Sequence, residues 1–178
     1  ALEADSPVIH EHLEGNVQAH YNMSLGQVDD AFAHADYVLK DRIKIPRISA
    51  NPLETRGVLA TFDERHDFLQ VWSSTQMAFL LRTHLSEMLH LVKDNIRVIA
   101  PEVGGGFGPK VNIYPEEIVI PYLAMKLNRP VRWIEDRLEH MQSTRHSRDQ
   151  VHDVEIAFNK DGTIMGLRDH FLLDAGAY

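Results

Sequence analysis

The chain has 178 residues, of which 44% are hydrophobic and 25% charged, which is the composition of an ordinary globular domain. Its formal charge of −8, from 18 Lys and Arg against 26 Asp and Glu, disfavours nucleic acid as a partner. No apolar run approaches about 20 residues and no signal peptide is visible at the start, so we expect no membrane span. Without cysteine, the chain can form neither disulfides nor thiolate-held metal or iron–sulfur sites.

The first predicted elements are one short helix and three strands. A helix is expected over residues 29–35, which begin with two acidic residues that suit a helix N-terminus. β-branched residues predict a strand over 37–48, although its proline indicates a break or an edge position. Residues 56–62 and 68–73 then form a predicted hairpin around a polar connection.

The clearest amphipathic pattern predicts a helix over residues 75–91. Ser74 or Thr75 is the expected N-cap, because a hydroxyl can accept a hydrogen bond from a free backbone amide in the first turn. The expected apolar stripe consists of Met77, Leu80, Leu81, Leu85, Met88 and Leu89.

The second half of the chain repeats this mixture of elements. A buried strand is predicted over 96–100, a second main helix over 115–127, and a short strand over 131–134. Strands over 151–158 and 163–173 form a predicted hairpin through an Asn-to-Gly turn. Because helices and strands alternate irregularly, the sequence predicts an α+β fold with mixed sheet hairpins and two main helices.

A glycine-rich run follows the predicted strand 96–100. Four of the ten glycines fall within residues 104–108, interrupted by Phe107. Glycine lets backbone amides approach a ligand closely, and a row of such amides suits an anion or oxo group. The Phe107 ring either projects into a cavity or fills a gap in the core of a tight turn. The run does not match the P-loop pattern, because Pro109 and Val111 flank Lys110. It does not match the dinucleotide fingerprint either, because Pro109 stands three residues after Gly106, where that pattern needs a glycine.

Three polar residues are open to more than one interpretation. Gln76 follows the predicted strand 68–73, where its amide can point into a crevice or serve a capping or surface role. Lys110 and Arg145 can each bind a phosphate or remain solvated surface cations.

The eleven histidines are many for this length, but their spacing does not favour metal ligation. His84 and His90 are six residues apart, as are His140 and His146, which does not place either pair on one helical face. We therefore predict no metal held by protein side chains.

Five motifs occur in a fixed order along the chain. They are 51–57 (NPLETRG), 71–76 (VWSSTQ), 99–108 (IAPEVGGGFG), 129–132 (RPVR) and 174–178 (DAGAY). Together they resemble the large, molybdenum-binding subunit of the xanthine dehydrogenase / aldehyde oxidase family, and carbon-monoxide-dehydrogenase-type large subunits in particular. The resemblance implies that residues 1–178 are part of a molybdenum-cofactor-binding domain. Within it, 1–50 are a lead-in with a short helix and a strand, and 51–178 are a core with the glutamine and glycine motifs.

The resemblance also implies roles for the two singled-out motifs. In this family the glutamine that matches Gln76 donates its amide hydrogen bond to an oxo ligand of molybdenum. The loop that matches Gly105, Gly106 and Gly108 lies against the metal centre, where its amides meet oxo or pterin groups. Phe107 is then expected to line the substrate pocket.

Cofactors and partners are implied in the same way. The family holds molybdenum through a molybdopterin, in bacteria usually the cytosine dinucleotide form, rather than through side chains. Electrons pass to 2Fe-2S clusters and FAD, which we expect on partner iron–sulfur and FAD subunits. The full complex is expected to be a cytoplasmic dimer of heterotrimers that acts on a small-molecule substrate.

The sequence departs from the family pattern in two places. Purine-oxidising relatives have a glutamate after the loop lysine, whereas Val111 follows Lys110 here, which disfavours a purine substrate. The family's catalytic glutamate and the cysteine loop of true carbon monoxide dehydrogenases have no counterpart in residues 1–178. No general base can therefore be assigned, and we expect the isolated chain to be inactive.

Three alternatives remain open at this point. Within the family, the enzyme can be an aldehyde or N-heterocycle hydroxylase instead of a carbon-monoxide-dehydrogenase-type enzyme. Outside it, the chain can be a stand-alone module that binds a nucleotide or phosphate at the glycine loop. It can also be a purely structural interaction domain.

Overall fold

The computed structural model describes residues 5–176 and confirms the α+β class. These residues form four α-helices and seven strands, in an irregular order. In chain order they are α1 (Val28–His34), β1 (Tyr37–Ile48), β2 (Gly57–Asp63), β3 (Phe68–Ser73), α2 (Ala78–Leu89), β4 (Ile96–Ile99), α3 (Glu116–Leu127), β5 (Val131–Ile134), α4 (Arg137–Ser143), β6 (Ser147–Phe158) and β7 (Ile164–Leu173). Short 3-10 turns add Lys93–Asn95 before β4 and Pro109–Val111 after the glycine run.

One compact unit is formed by the chain up to Arg47 together with the chain from Arg148 onward. Its three strands pair in the order β1-β6-β7, and β6 and β7 form the predicted antiparallel hairpin. β1 is an edge strand, which explains how it accommodates its proline. Helix α1 packs on β7 at Gly166, where an added Cβ would lie only 3.1 Å from the Phe32 ring.

The second unit, Ile48–Ser147, contains a four-stranded sheet in the order β4-β3-β2-β5. β2 pairs antiparallel with both β3 and β5, as the predicted hairpin requires. β3 and β4 pair in parallel, with Val71 opposite Val98, and α2 forms the connection between them. Because parallel strands end at the same edge, the segments after β3 and β4 emerge side by side.

The core of this second unit lies between the sheet and helices α2 and α3. Alternate residues of β2 and β3 face the helices, as expected for a sheet covered on one side. The buried apolar residues of this core are Val58, Ala60, Leu69, Val71, Leu81, Leu85, Ile96, Ile120 and Ala124.

The predicted start and cap of helix 75–91 are wrong. Helix α2 begins at Ala78, and its N-cap position is Met77, without a capping side chain. The Thr75 hydroxyl and the Gln76 N–H both donate to the Lys110 carbonyl, at 3.3 and 2.9 Å. These bonds hold the backbone before the helix against the glycine run, so the helical turn starts later.

The predicted apolar stripe is only partly buried. Leu81 and Leu85 are fully enclosed and Leu89 packs partly against the core. The other three members, Met77, Leu80 and Met88, are exposed.

Helix α4 was not predicted from the sequence. Its N-terminus is a capping box in which the Asp136 carboxylate accepts from the Glu139 N–H and the Glu139 carboxylate accepts from the Asp136 N–H, both at 2.8 Å. The Asp-x-x-Glu spacing was the available signal for this helix start.

Two further sequence predictions concern the ends and divisions of the chain. The motif 174–178 reaches beyond the described residues, and the division into 1–50 and 51–178 stays a prediction.

Across residues 5–176, no helix combines the length and apolar character needed to cross a membrane.

The capping box gives a direct test of α4. Asp136→Ala removes the bond to the Glu139 N–H, so urea unfolding should show a loss of about 1 kcal/mol. Asp94→Ala is the control, because Asp94 is 93% exposed and forms only a surface ion pair with Arg82, whose loss should cost less than about 0.5 kcal/mol. Equal losses in the two variants would show that the capping box does not stabilise α4.

Candidate functional site

The parallel pairing of β3 and β4 brings Gln76 and the glycine loop, residues 104–108, together. The Gly108 N–H donates to Gln76 Oε1 at 3.2 Å. Gly106 lies so close to Gln76 that an added Cβ would overlap its carboxamide carbon and oxygen. The structure therefore places two of the sequence-predicted site elements in direct contact, across the helix and strand that separate them in sequence.

The contact with Gly108 fixes which way the Gln76 amide is turned. A backbone N–H can only donate, so the oxygen of the carboxamide must face Gly108 and the NH₂ group must face away. Among residues 5–176, nothing accepts a hydrogen bond from that NH₂ group. Gln76 is exposed, so its NH₂ group presents two free N–H donors just beyond the carboxyl end of β3.

The loop backbone adopts conformations that favour glycine, and the space at Gly108 is open to a ligand. Gly105 and Gly108 have φ values of 97° and 99°, which residues with side chains rarely adopt. Phe107 also has a positive φ, 50°, and its side chain is 76% exposed. The ring therefore does not fill a gap in the core, which removes one of the two interpretations of Phe107.

Lys110, at the end of the loop, is neither a solvated cation nor a free phosphate ligand. Its side chain is fully buried, and its Nζ donates to Glu54 Oε2 at 2.8 Å and to Ser74 Oγ at 2.7 Å. Partial burial raises the pKa of the Glu54 carboxyl, but hydrogen bonds from Lys110, Ser74 and the Gly104 N–H outweigh it and hold that pKa below its ordinary value. Arg145, the other candidate cation, is exposed.

A second charged network underlies the same unit and was missed in the sequence analysis. The buried Arg56 guanidinium donates to Glu135 Oε1 through Nε at 2.9 Å and lies 3.7 Å from the centre of the Tyr114 ring. The other Glu135 oxygen accepts from the Arg56 backbone N–H and lies 2.9 Å from His140 Nδ1. The Tyr114 hydroxyl donates to the Pro109 carbonyl, which links this network to the glycine loop.

Glu117 and Glu135 are both buried, yet their environments shift their pKa values in opposite directions. Burial raises the pKa of Glu117, and bonds from Ser73 and the Tyr114 N–H offset this only partly. Burial also acts on Glu135, but the hydrogen bonds and charge of Arg56 dominate and lower its pKa. Glu135 is thus held as a carboxylate, whereas Glu117 is driven towards the neutral acid.

Side chains of the described residues offer no metal site of their own. Residues 5–176 contain no group of three or more histidine or acidic side chains placed to hold a metal ion. A cofactor at this edge would instead meet the Gln76 amide and the loop backbone. The free NH₂ group and the close-approach glycines suit a ligand that carries oxygen acceptors.

Comparison with known proteins decides the family. The family described as the molybdopterin cofactor-binding domain matches residues 9–178. The chain belongs to this family. The match confirms the resemblance inferred from the five motifs.

Two curated relatives of this molybdopterin cofactor-binding domain are named as a large subunit and a large chain. The chain is 38% identical over 172 residues to the nicotine 6-hydroxylase large subunit of Paenarthrobacter nicotinovorans, covering 97% of the chain and 21% of that protein. It is 35% identical over 191 residues to the carbon monoxide dehydrogenase large chain of Hydrogenophaga pseudoflava, covering 100% of the chain and 24% of that protein. The chain thus spans between a fifth and a quarter of these relatives.

The structure of the molybdopterin cofactor-binding domain resembles solved enzymes of the same kind. Quinoline 2-oxidoreductase from Pseudomonas putida 86 superposes with a TM-score of 0.85 at 34% identity, over 97% of this chain and 22% of that one. The aldehyde oxidoreductase from Desulfovibrio gigas, at 23% identity and a TM-score of 0.71, shares the fold over 82% of this chain and 16% of that one.

The two buried glutamates give a matched test of the charge networks. Glu135→Gln should lower the free energy of unfolding by about 3 kcal/mol at about pH 7. The new amide NH₂ would face a hydrogen-bond donor, and Arg56 would lose its counter-charge. Glu117→Gln should change stability by less than about 1 kcal/mol, because a hydroxyl can accept from the new NH₂ group. Urea unfolding of both variants measures these differences.

The pH dependence has opposite signs for the two variants. The lowered pKa of Glu135 gives a stabilisation that is lost as pH falls, so the cost of Glu135→Gln should shrink towards about pH 4. The raised pKa of Glu117 gives a contribution that is lost as pH rises, so Glu117→Gln should gain stability relative to the parent protein above about pH 5. Parallel pH profiles for the two variants would contradict this assignment.

Proposed function

We propose that the chain is a segment of the large subunit of a molybdenum hydroxylase, an oxidoreductase of the carbon monoxide dehydrogenase / xanthine dehydrogenase type. In this proposal it contributes part of the molybdopterin site through Gln76, Gly105, Gly106, Phe107 and Gly108. The observation that carries the proposal is the Gln76 carboxamide, whose oxygen is held by Gly108 and whose NH₂ group is free.

Each residue has a defined task in this proposal. The Gln76 NH₂ group donates to an oxygen acceptor on the cofactor, and the Gly108 N–H keeps the amide in the orientation for that bond. Gly106 leaves room for the Gln76 carboxamide beside the loop, and Gly105 provides the turn at positive φ. The space at Gly108 is open, so the loop backbone can lie against the cofactor there. Phe107 forms a wall of the substrate pocket and excludes water there. The bound cofactor supplies the two-electron redox chemistry.

The family match extends the proposal to the complete protein. We propose the cytosine dinucleotide form of molybdopterin, with 2Fe-2S clusters and FAD on partner iron–sulfur and FAD subunits in a cytoplasmic dimer of heterotrimers. The names of the relatives support partner subunits, since they are called a large subunit, a large chain and, in one case, the gamma subunit of a dehydrogenase complex. The isolated chain should be inactive, and hydroxylase turnover by the purified chain alone would contradict this.

An N-heterocycle hydroxylase is the second candidate within the family. Nicotine 6-hydroxylase and quinoline 2-oxidoreductase, two of the similar proteins, are named for N-heteroaromatic compounds. The exposed Phe107 ring offers an aromatic face on which a planar substrate can stack. Turnover of carbon monoxide, aldehydes and N-heterocycles by the complete enzyme separates these candidates.

Alanine at Gly106 and at Gln76 tests the cofactor site. In the complete protein, Gly106→Ala should displace the Gln76 side chain and lower molybdenum content, and Gln76→Ala should lower turnover by about 100-fold through loss of one positioned donor. Elemental analysis and steady-state kinetics measure the two effects.

Gly57→Ala is the matched control. Its added Cβ would have no neighbour closer than 3.7 Å, so metal content and turnover should stay at the parent level. Full molybdenum content and turnover in both Gly106→Ala and Gln76→Ala would exclude this edge of the sheet as part of the cofactor site.

A further inference from the structure

One carboxylate oxygen of Glu54 accepts hydrogen bonds from the first residue of the glycine loop and from Lys110, two residues after the loop. Glu54 Oε2 accepts from the Gly104 N–H at 2.8 Å, where the loop begins. The same oxygen accepts from Lys110 Nζ at 2.8 Å, where the loop ends. Ser74 completes the cluster, because its hydroxyl donates to Glu54 Oε2 at 2.6 Å and accepts from Lys110 at 2.7 Å.

Backbone hydrogen bonds also hold the glycine loop and the residues after it against Glu54 and Gln76. The Glu54 N–H donates to the Gly104 carbonyl at 3.2 Å, so the two residues exchange bonds in both directions. A Cβ on Gly104 would lie 2.5 Å from the Glu54 Cβ, which leaves no room for any other residue there. At the other end, the Lys110 carbonyl accepts from the Gln76 N–H.

The burial of Lys110 makes this arrangement sensitive to change. Its side chain is completely enclosed, and a buried ammonium is tolerated only while its partners remain in place. Removing either member of the Lys110–Glu54 pair leaves an unpaired charge beside the loop. The resulting loss of stability is expected in residues 104–108, because the hydrogen bonds that hold this segment come from the same two residues.

We propose that Glu54, Ser74 and Lys110 form a clasp that positions the glycine loop so that the Gly108 N–H meets the Gln76 carboxamide. These are positioning residues, which act on a ligand through the loop and Gln76. The role of the clasp in cofactor binding rests on the proposed function, whereas its effect on loop geometry does not.

Hydrogen exchange tests the clasp without reference to the cofactor. In the complete protein prepared without molybdenum, Lys110→Met should speed amide exchange in a peptide covering residues 104–108 by about tenfold or more. Ser74→Ala should speed it by a smaller factor, since it removes one hydroxyl and leaves the ion pair. Millisecond-to-second exchange read by mass spectrometry provides the measurement.

Ser73→Ala is the matched control for Ser74→Ala. Both serines are buried and both donate to a glutamate at 2.6 Å, but Ser73 bonds to Glu117 rather than to the clasp. Loop exchange in Ser73→Ala should equal that of the parent protein. The combined Lys110→Met and Glu54→Gln variant should exchange more slowly than Lys110→Met alone, because it leaves no unpaired charge.

Molybdenum content of the same variants distinguishes the effect of the clasp on the loop from the role of the loop in cofactor binding. Faster loop exchange with reduced molybdenum content supports both the clasp and the cofactor site. Faster loop exchange with full molybdenum content supports the clasp and overturns the assignment of the loop to the cofactor. Unchanged exchange in Lys110→Met and Ser74→Ala overturns the clasp, and if Lys110→Met does not fold, Ser74→Ala and Glu54→Gln decide.

Discussion

The parallel pairing of β3 with β4 is the constraint on which the candidate site depends. Two parallel neighbours end at the same sheet edge, so the segment after Ser73 and the segment after Ile99 leave the sheet side by side. Open α/β sheets bind their ligands next to the carboxyl ends of parallel strands. Antiparallel pairing of the same strands would place Gln76 and the glycine loop at opposite ends of the sheet.

Buried charges hold this edge in one geometry. Lys110 is anchored by Glu54, and Arg56 is anchored by Glu135, and each of these two carboxylates also accepts from a backbone N–H. Burying Lys110, Arg56 and Glu135 costs free energy that is offset only while their partners are present. The networks therefore act mainly by excluding other arrangements of the loop, which keeps the Gly108 N–H in place to orient the Gln76 carboxamide.

The elements that the sequence predicts well are those determined by local pattern. The strand 37–48, the strand 131–134 and both hairpins follow from β-branched residues and turn signals. The structure has them with nearly the same bounds, except that β6 begins at Ser147, four residues before the predicted start. The start of α2 could not be predicted, because it depends on bonds from Thr75 and Gln76 to a carbonyl more than 30 residues away.

In the site, too, the features that depend on local sequence could be predicted, and those that depend on residues distant in sequence could not. The glycine run and Gln76 are visible in the sequence as unusual residues, and five ordered motifs identify the family. The environment of Lys110 is not visible, because its carboxylate partner Glu54 lies 56 residues earlier in the chain. A buried, fully paired lysine and a surface lysine have the same local sequence, so only the fold distinguishes them.

The position of the metal relative to Gln76 tests the central claim most directly. Diffraction from crystals of the complete protein, collected at the molybdenum absorption edge, locates the metal independently of any assumption about the site. We expect an anomalous peak beside the glycine loop, with an oxygen ligand of the metal within hydrogen-bonding distance of the Gln76 NH₂ group. A molybdenum peak remote from Gln76 and from residues 104–108 would show that this loop is not part of the cofactor site.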